Sequence, residues 1–329
     1  MSTPDRQVIA VGIITNRNGD YLIEQRHAKQ HLANSWAFPG GKVQPCESPR
    51  SALRRELAEE LAIEPGKLRW LLDIPWQYDD KQLFLRCYRV ENWHGQIKPE
   101  EQQALSYQPL SPRNRLQWLQ NAPAANAGLI NALLLPNIMR ITPAAVDTNR
   151  WVDEVLARAA PLKQPSLIQL RPQRALAVGV WQALVKRLMA DGHWILVNAA
   201  AQTEALIEQL DPQSGQLGVH LKQHQLASIP TRVLARWQQS GGLVSAAVHD
   251  LASLRQANCL SVDMVTASPV RSTSSHPGVA GAGWPWFAAI TKQAVMPVYA
   301  LGGVGPADLL CVHRHRGFGV AGISACWEA

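Results

Sequence analysis

Apolar positions cluster from the start of the chain. Val8 to Thr15 reads as a strand, and Asn16 to Asp20 (NRNGD) interrupts it with the Asn18-Gly19 hairpin signal. Tyr21 to Gln25 predicts the returning strand, and Leu83 to Val90 predicts another. With a helical spacing between them, the first third is mixed α/β. A Pro-, Asn- and Gln-rich stretch from Pro109 to Ala125 leads into a short apolar helix, Asn126 to Leu135. Pro136 ends that helix and a strand begins at once, so the expected domains are 1–136 and 137–329. Beyond the cut, eight strand candidates begin near Ile138, Ser166, Trp194, Leu217, Leu243, Val262, Pro297 and Gly319. Amphipathic stretches separate most of them, such as Val178 to Met189 with Trp181, Leu184, Val185 and Leu188 on one face. The connection between the fourth and fifth strands has the weakest helical pattern. Such alternation implies parallel βαβ units, and eight units in about 190 residues predict a compact (β/α)8 barrel. A doubly wound open sheet is the second choice.

Composition narrows the class. At 329 residues and 47% hydrophobic, the chain has enough material for two cores. Its five cysteines (Cys46, Cys87, Cys259, Cys311, Cys326) contain no C-x-x-C pair, which argues against structural zinc and a disulfide framework. The N-terminus lacks a basic segment followed by an apolar one, and runs such as Ala127 to Met139 are too short to cross a bilayer. A soluble, cytoplasmic protein without a membrane partner is expected. Net charge is +7: 16 Lys+Arg against 14 Asp+Glu in residues 1–136, and 16 against 11 in the remainder. That excess suits phosphate-bearing ligands. Without a Lys/Arg block, zinc finger or basic heptad, stable nucleic-acid binding is not expected.

The richest chemistry lies in Phe38 to Ile63, FPGGKVQPCESPRSALRRELAEELAI. Ser48 can cap a helix whose first position is Pro49. On it Glu56, Glu59 and Glu60 stand at i, i+3 and i+4 and share a face, beside a stripe of Leu53, Leu57 and Leu61. No Lys at i+4 relieves Glu56 or Glu59; a bound divalent cation would, and carboxylate oxygens select Mg²⁺ or Mn²⁺. Gly40-Gly41 allows close backbone approach and can offer a carbonyl ligand. By itself the string also fits a solvated acidic face.

The segment resembles the Nudix box, G-x5-E-x7-R-E-U-x-E-E-x-G-U, with Gly41, Glu47, Arg55, Glu56, Leu57, Glu59, Glu60 and Ile63 in place. Six Gly or charged positions at about 6% background each give a chance match on the order of 10⁻⁷ per window. Ala62 stands where the family usually has Gly. The resemblance implies a metal-dependent hydrolase of nucleoside diphosphates linked to another moiety, with the fold of an α/β/α sandwich around a mixed sheet. It implies that Glu56, Glu59, Glu60 and the Gly40 carbonyl hold metal, and that Arg55 and Glu47 form a supporting pair.

The first 135 residues are similar to MutT-type 8-oxo-dGTP diphosphatases, including AVGII at Ala10 to Ile14 and His31-Leu32-Ala33-Asn34. By that similarity Arg26, Phe38 and Asn126 would contact the oxidised guanine, Tyr78 would form a second aromatic wall, and Glu101 would approach the metal. An aromatic face and an amide with one donor and one acceptor suit a purine. The implied substrate is the nucleoside triphosphate 8-oxo-dGTP, cleaved to the monophosphate and pyrophosphate.

From Asn137 onward the chain resembles thiamine phosphate synthase and its TenI-like relatives, compact (β/α)8 barrels. The matching pieces are Arg140-Ile141-Thr142-Pro143, Gln169-Leu170-Arg171, Gly218-Val219-His220-Leu221, Ser268-Pro269-Val270 and Tyr299 to Val304. The resemblance implies a phosphate-bearing, thiamine-related ligand near Arg171, Gly302, Gly303 and Gly322, with His249 in the place of a tautomerase acid/base. Several synthase residues are replaced: by Gln173, by Ala199 after Asn198, near His224-Gln225, and by Ser274-Ser275-His276. Without those carboxylates and cations, magnesium-pyrophosphate chemistry in the barrel is not expected. Two alternatives stand beside purine hydrolysis: a Nudix hydrolase of a thiamine-related pyrophosphate, and a ligand-binding regulator.

Overall fold

A computed structural model of the chain describes residues 6–26, 32, 34–79, 81–143, 148–172, 176–198, 214–273 and 280–328. The chain falls into two compact units, Met1–Ile130 and Asn131–Ala329, the division lying within the helix Ala127–Leu134.

In the first unit a mixed sheet has the order β4-β1-β7-β6, built from β1 (Arg6–Ile13), β4 (Gly40–Lys42), β6 (Leu68–Gln77) and β7 (Gln82–Val90). β1 runs parallel to β7 and antiparallel to β4. A second sheet orders β3 (Trp36–Ala37), β2 (Tyr21–Gln25) and β9 (Leu105–Gln108). β5 (Glu64–Pro65) pairs with β8 (Trp93–His94). In the turn before β2 the Asn16 side-chain oxygen accepts the backbone N–H groups of Asn18 and Asp20, each at 2.9 Å. The long strand β6 escapes the alternation pattern because Asp73 and Pro75 interrupt it. Pro has no N–H for a ladder, and β6 accommodates it as an edge strand, with a register shift between Trp70 and Leu72.

Helix α1 (Pro49–Leu61) packs against this framework. The Ser48 hydroxyl accepts the Ser51 N–H at 3.1 Å, and Pro49 fills the first turn, where its missing donor costs nothing. Leu53, Leu57 and Leu61 are fully buried with Ala10, Ile14 and Leu22. Each contributes about 2 kcal/mol, well above the few tenths lost to an exposed like-charge pair one turn apart. The apolar stripe therefore holds the acidic face in place.

The second unit is a closed barrel of eight parallel strands, each paired with the next and the last with the first. They are β10 (Ile138–Ile141), β11 (Leu167–Leu170), β12 (Trp194–Asn198), β13 (Leu217–Leu221), β14 (Leu243–Val248), β15 (Met264–Ala267), β16 (Val298–Leu301) and β17 (Gly319–Gly322). Closure excludes the open sheet. Aliphatic residues such as Ile168, Val197, Val244 and Val298 pack with helix residues including Trp181, Leu184, Leu188 and Leu254. The connection with the weak helical pattern contains the helix Thr231–Gln239, which buries only Leu234 and Trp237. Two anchors in nine residues explain the faint periodicity.

Candidate active site

Arg55 organises the loop before α1. Its guanidinium reaches Glu47 at 3.2 Å, Glu56 at 2.9 Å and Glu59 at 3.0 Å, and donates to the Lys42 carbonyl at 3.1 Å. The charges on Glu56 and Glu59 are thus relieved from position 55, where a search for lysines at i+4 does not look. Arg55 in turn holds Glu47 below the usual carboxylate range.

The two glycines have separate tasks. Gly40 has φ of +133°, and a Cβ there would stand 2.2 Å from the Ala10 carbonyl oxygen. Its N–H donates to Glu60 at 3.2 Å. Gly41 makes room for Glu56, since a Cβ would stand 2.2 Å from that carboxyl carbon.

The end of α1 is closed by an unusual cap and by the segment after β8. Ala62 takes φ 55° and ψ 34°, a left-handed conformation that glycine adopts more readily. The N–H of Lys98 donates to the Leu61 carbonyl at 3.0 Å and that of Glu100 to the Glu60 carbonyl at 3.1 Å. The buried Gln103 side chain also donates to the Glu60 carbonyl, at 3.0 Å, and accepts the Glu101 N–H at 3.1 Å. These bonds bring Glu101 to the helix-borne carboxylates.

A further carboxylate, Glu24 on β2, joins them, and sequence reasoning passed over it. Strand alternation places Glu24 on the same face as Arg26, which is the signal that would have found it. Burial pushes Glu60 up to about 9, reinforced by the charges of Glu24, Glu56 and Glu101. Glu24 rises to about 7, again chiefly through burial, while Gln103 and Arg26 oppose the rise. Glu56 is raised by burial and held back by Arg55.

Among the described residues no three His, Cys, Asp or Glu side chains stand as a finished metal cage. The donor set nonetheless fits a hard divalent cation. It offers only oxygen, it gathers the carboxyl groups of Glu24, Glu56, Glu60 and Glu101 within one another's field, and among the described residues nothing bonds to the buried Glu24 Oε2. Glu59 differs from the others, with its side chain 57% exposed and turned to Arg55.

Beside the carboxylates lie the residues assigned to a base. Arg26 exerts its charge on both Glu24 and Tyr78. The Tyr78 oxygen accepts the Ala125 N–H at 3.5 Å, next to the buried Asn126. The structure thus brings Tyr78 to the turn that holds Asn126. Phe38 is buried, stacked on Trp118 at 5.8 Å between ring centroids and edge-on to Tyr21 at 6.3 Å. Trp76, which meets Tyr78 edge-on at 6.1 Å, is another aromatic that sequence reasoning did not single out. His31 and Ala33 lie outside the described residues.

In the barrel, Arg171, His249, Gly302 and Gly322 all fall at the carboxyl ends of strands, where this architecture builds its sites. Gly302 and Gly303 have φ of +98° and +62°. His249 Nδ1 lies 2.6 Å from the Ser268 carbonyl oxygen. Buried polar residues link neighbouring strands: the Gln169 amide donates to Asn198 at 2.8 Å, and His220 Nδ1 lies 2.9 Å from the Ser245 hydroxyl. Burial, aided by the charge of Arg171, pushes His220 down to about 3. Gln169 Oε1 and Thr266 Oγ1 are buried without partners. After β13, His224 and Gln225 lie in the short helix Gln223–Ala227. Asp250 caps the helix Leu251–Cys259, accepting the Ser253 N–H at 2.7 Å. Gln173, Ala199 and Ser274 to His276 lie outside the described residues.

Comparison with known proteins agrees with this division. Residues 5–130 match the NUDIX domain and residues 138–326 match thiamine monophosphate synthase. The chain is 35% identical over 125 residues to an 8-oxo-dGTP diphosphatase of Escherichia coli (strain K12), covering 38% of this chain and 94% of that one. It is 36% identical over 113 residues to a CTP pyrophosphohydrolase of the same organism, covering 34% and 82%. It is 33% identical over 111 residues to a putative thiamine-phosphate synthase 2 of Aquifex aeolicus, covering 34% of this chain and 58% of that protein.

Proposed function

Since this chain belongs to the NUDIX domain family through its first unit and to the thiamine monophosphate synthase family through its second, we propose that the first unit is a Mg²⁺-dependent pyrophosphohydrolase of oxidised purine nucleotides, cleaving 8-oxo-dGTP to 8-oxo-dGMP and pyrophosphate. One observation carries the reading: the Ala125 N–H donates to the Tyr78 hydroxyl beside the buried Asn126, which offers a base an aromatic neighbour and an amide in the same unit as the carboxylate cluster.

Glu56, Glu60, Glu101 and the Gly40 carbonyl would hold the cation, with Glu59 at the exposed edge. A bound Mg²⁺ neutralises phosphate charge and acidifies a water. Arg55 and Glu47 fix the loop against α1, and the Gly40 N–H orients Glu60. Asn126 supplies a donor and an acceptor for the base edge. Metal binding costs the cluster its protons, so Glu60 and Glu24 must ionise as the cation enters.

The barrel is proposed to bind a phosphate-bearing, thiamine-related ligand without synthase activity. The unpartnered Gln169 and Thr266 oxygens support a ligand on the polar side of its strands. If His249 Nδ1–H donates to the Ser268 carbonyl, Nε2 is left as a base, the tautomer that proton transfer requires.

The similarity to a CTP pyrophosphohydrolase favours a second reading in which the base is a pyrimidine. A Mg²⁺-dependent pyrophosphate-release panel of the full chain with 8-oxo-dGTP, dGTP, CTP and thiamine pyrophosphate separates these. The expected result is kcat/KM for 8-oxo-dGTP at least about tenfold above dGTP and CTP. A ratio near one sinks the oxidised-purine assignment. A chain inert toward all four substrates would instead support the ligand-binding reading.

A further inference from the structure

Glu24 lies outside the Nudix box and occupies the middle strand of its sheet, its backbone paired with Ala37 on one side and Leu105 on the other. Paired on both edges, the strand holds that side chain in place. Glu24 Oε2 is buried and, among the described residues, accepts no hydrogen bond. Among the described residues its neighbours include the Gln103 amide, Arg26 and the carboxylates of Glu56 and Glu101, and Glu24 is the charge that acts most strongly on Glu60.

An aliphatic or amide residue would suit so enclosed a position better, because a desolvated carboxylate among like charges is unfavourable unless something binds it. A cation reached by oxygens from both the strand and the helix would satisfy Oε2 and relieve Glu60 together.

We propose that Glu24 is a further carboxylate of the divalent-cation site, supplied by β2 in addition to the helix-borne Glu56 and Glu60 and the loop-borne Glu101. The inference rests on the reading of the first unit as a metal-dependent hydrolase. It assigns Glu24 to holding the cation, and no chemical step is attributed to it.

The test is Mn²⁺ binding to the full, metal-free chain, read from the electron paramagnetic resonance of free Mn²⁺, with thermal melting alongside. Glu24→Gln preserves shape and removes charge. Its expected effect is a Mn²⁺ affinity about tenfold weaker, a smaller Mn²⁺-induced rise in melting temperature, and a metal-free melting temperature equal to or above that of the unaltered chain. Unchanged Mn²⁺ affinity in Glu24→Gln, while Glu56→Gln loses binding, overturns the proposal and leaves the hydrolase reading standing. If the unaltered chain itself fails to bind Mn²⁺, the metal reading falls and this inference with it. Should Glu24→Gln not fold, Glu24→Asp serves, since it keeps the charge and withdraws the oxygens by one methylene. Weakened binding in that variant supports the proposal, and unchanged binding overturns it.

Discussion

Gly41 and Glu56 share a space that only one of them can fill: a methyl group on Gly41 would overlap the Glu56 carboxylate, 2.2 Å from its carbon. The obstacle is the tip of a flexible side chain, so the backbone has no need to move. Gly41→Ala is therefore expected to leave folding intact and to displace the Glu56 carboxylate. Misplacement of about 1 Å costs roughly a hundredfold in rate. Steady-state hydrolysis and melting temperature, measured together, check this; a variant with full activity removes Glu56 from the site.

At the other end of α1, Ala62 holds a left-handed conformation. An L-residue there is strained by about 1–2 kcal/mol, partly offset by glycine's greater freedom in the unfolded chain. Ala62→Gly should stabilise the protein by about 0.5–1 kcal/mol, seen as a higher urea midpoint with unchanged slope. The same replacement at Ala58, inside the helix, should destabilise.

Without metal, stability should fall as pH rises. Glu24 and Glu60 have folded values of about 7 and about 9, above their unfolded values near 4.5, so the folded state holds protons that the unfolded state has released. Their contribution is complete below about pH 4.5 and is lost as pH climbs through 7 and 9. Above about pH 6.5, where the lowered pKa of His220 no longer affects the balance, melting temperatures of metal-free protein should decline up to pH 9, and Mg²⁺ should restore more at the upper end. A flat profile would mean that the cleft is less desolvated than its geometry indicates.

Asn126 is buried and adjoins Ala125, whose N–H meets Tyr78. Asn126→Ala should lower kcat/KM for 8-oxo-dGTP more than for dGTP, by roughly tenfold or more, since an unpaired base edge loses a buried hydrogen bond. Equal losses for both nucleotides would assign Asn126 to folding of the turn.

What the sequence disclosed depended on the distance over which each signal acts. Helix α1 was readable because its cap, proline and leucine stripe lie within one window, and the barrel because alternation repeats. β6 was hidden, since Pro75 is tolerable only on an edge strand and edges are a property of the assembled sheet. Glu59 and Glu60 look alike in spacing, yet one faces solvent and Arg55 while the other is enclosed beside Gly40. Glu24 belongs with residues far along the chain, and its one local signal is that strand alternation along β2 places it on the same face as Arg26. Phe38 is expected by resemblance to contact a base, and the Trp118 stacked on it comes from a helix that the pattern does not reveal, Arg115–Asn121.

The segment between Lys98 and Gln103 satisfies the last carbonyls of α1 and by the same bonds fixes the backbone at Glu101, a residue that stays exposed. Its length is therefore under tighter constraint than its composition. Substituting Pro99 or Glu100 alters side chains that the helix end does not use, whereas inserting one residue shifts every later donor out of register. An insertion of that kind would surface as weak cation binding in a protein whose core is otherwise sound, and its cause would lie in spacing with every ligand still present.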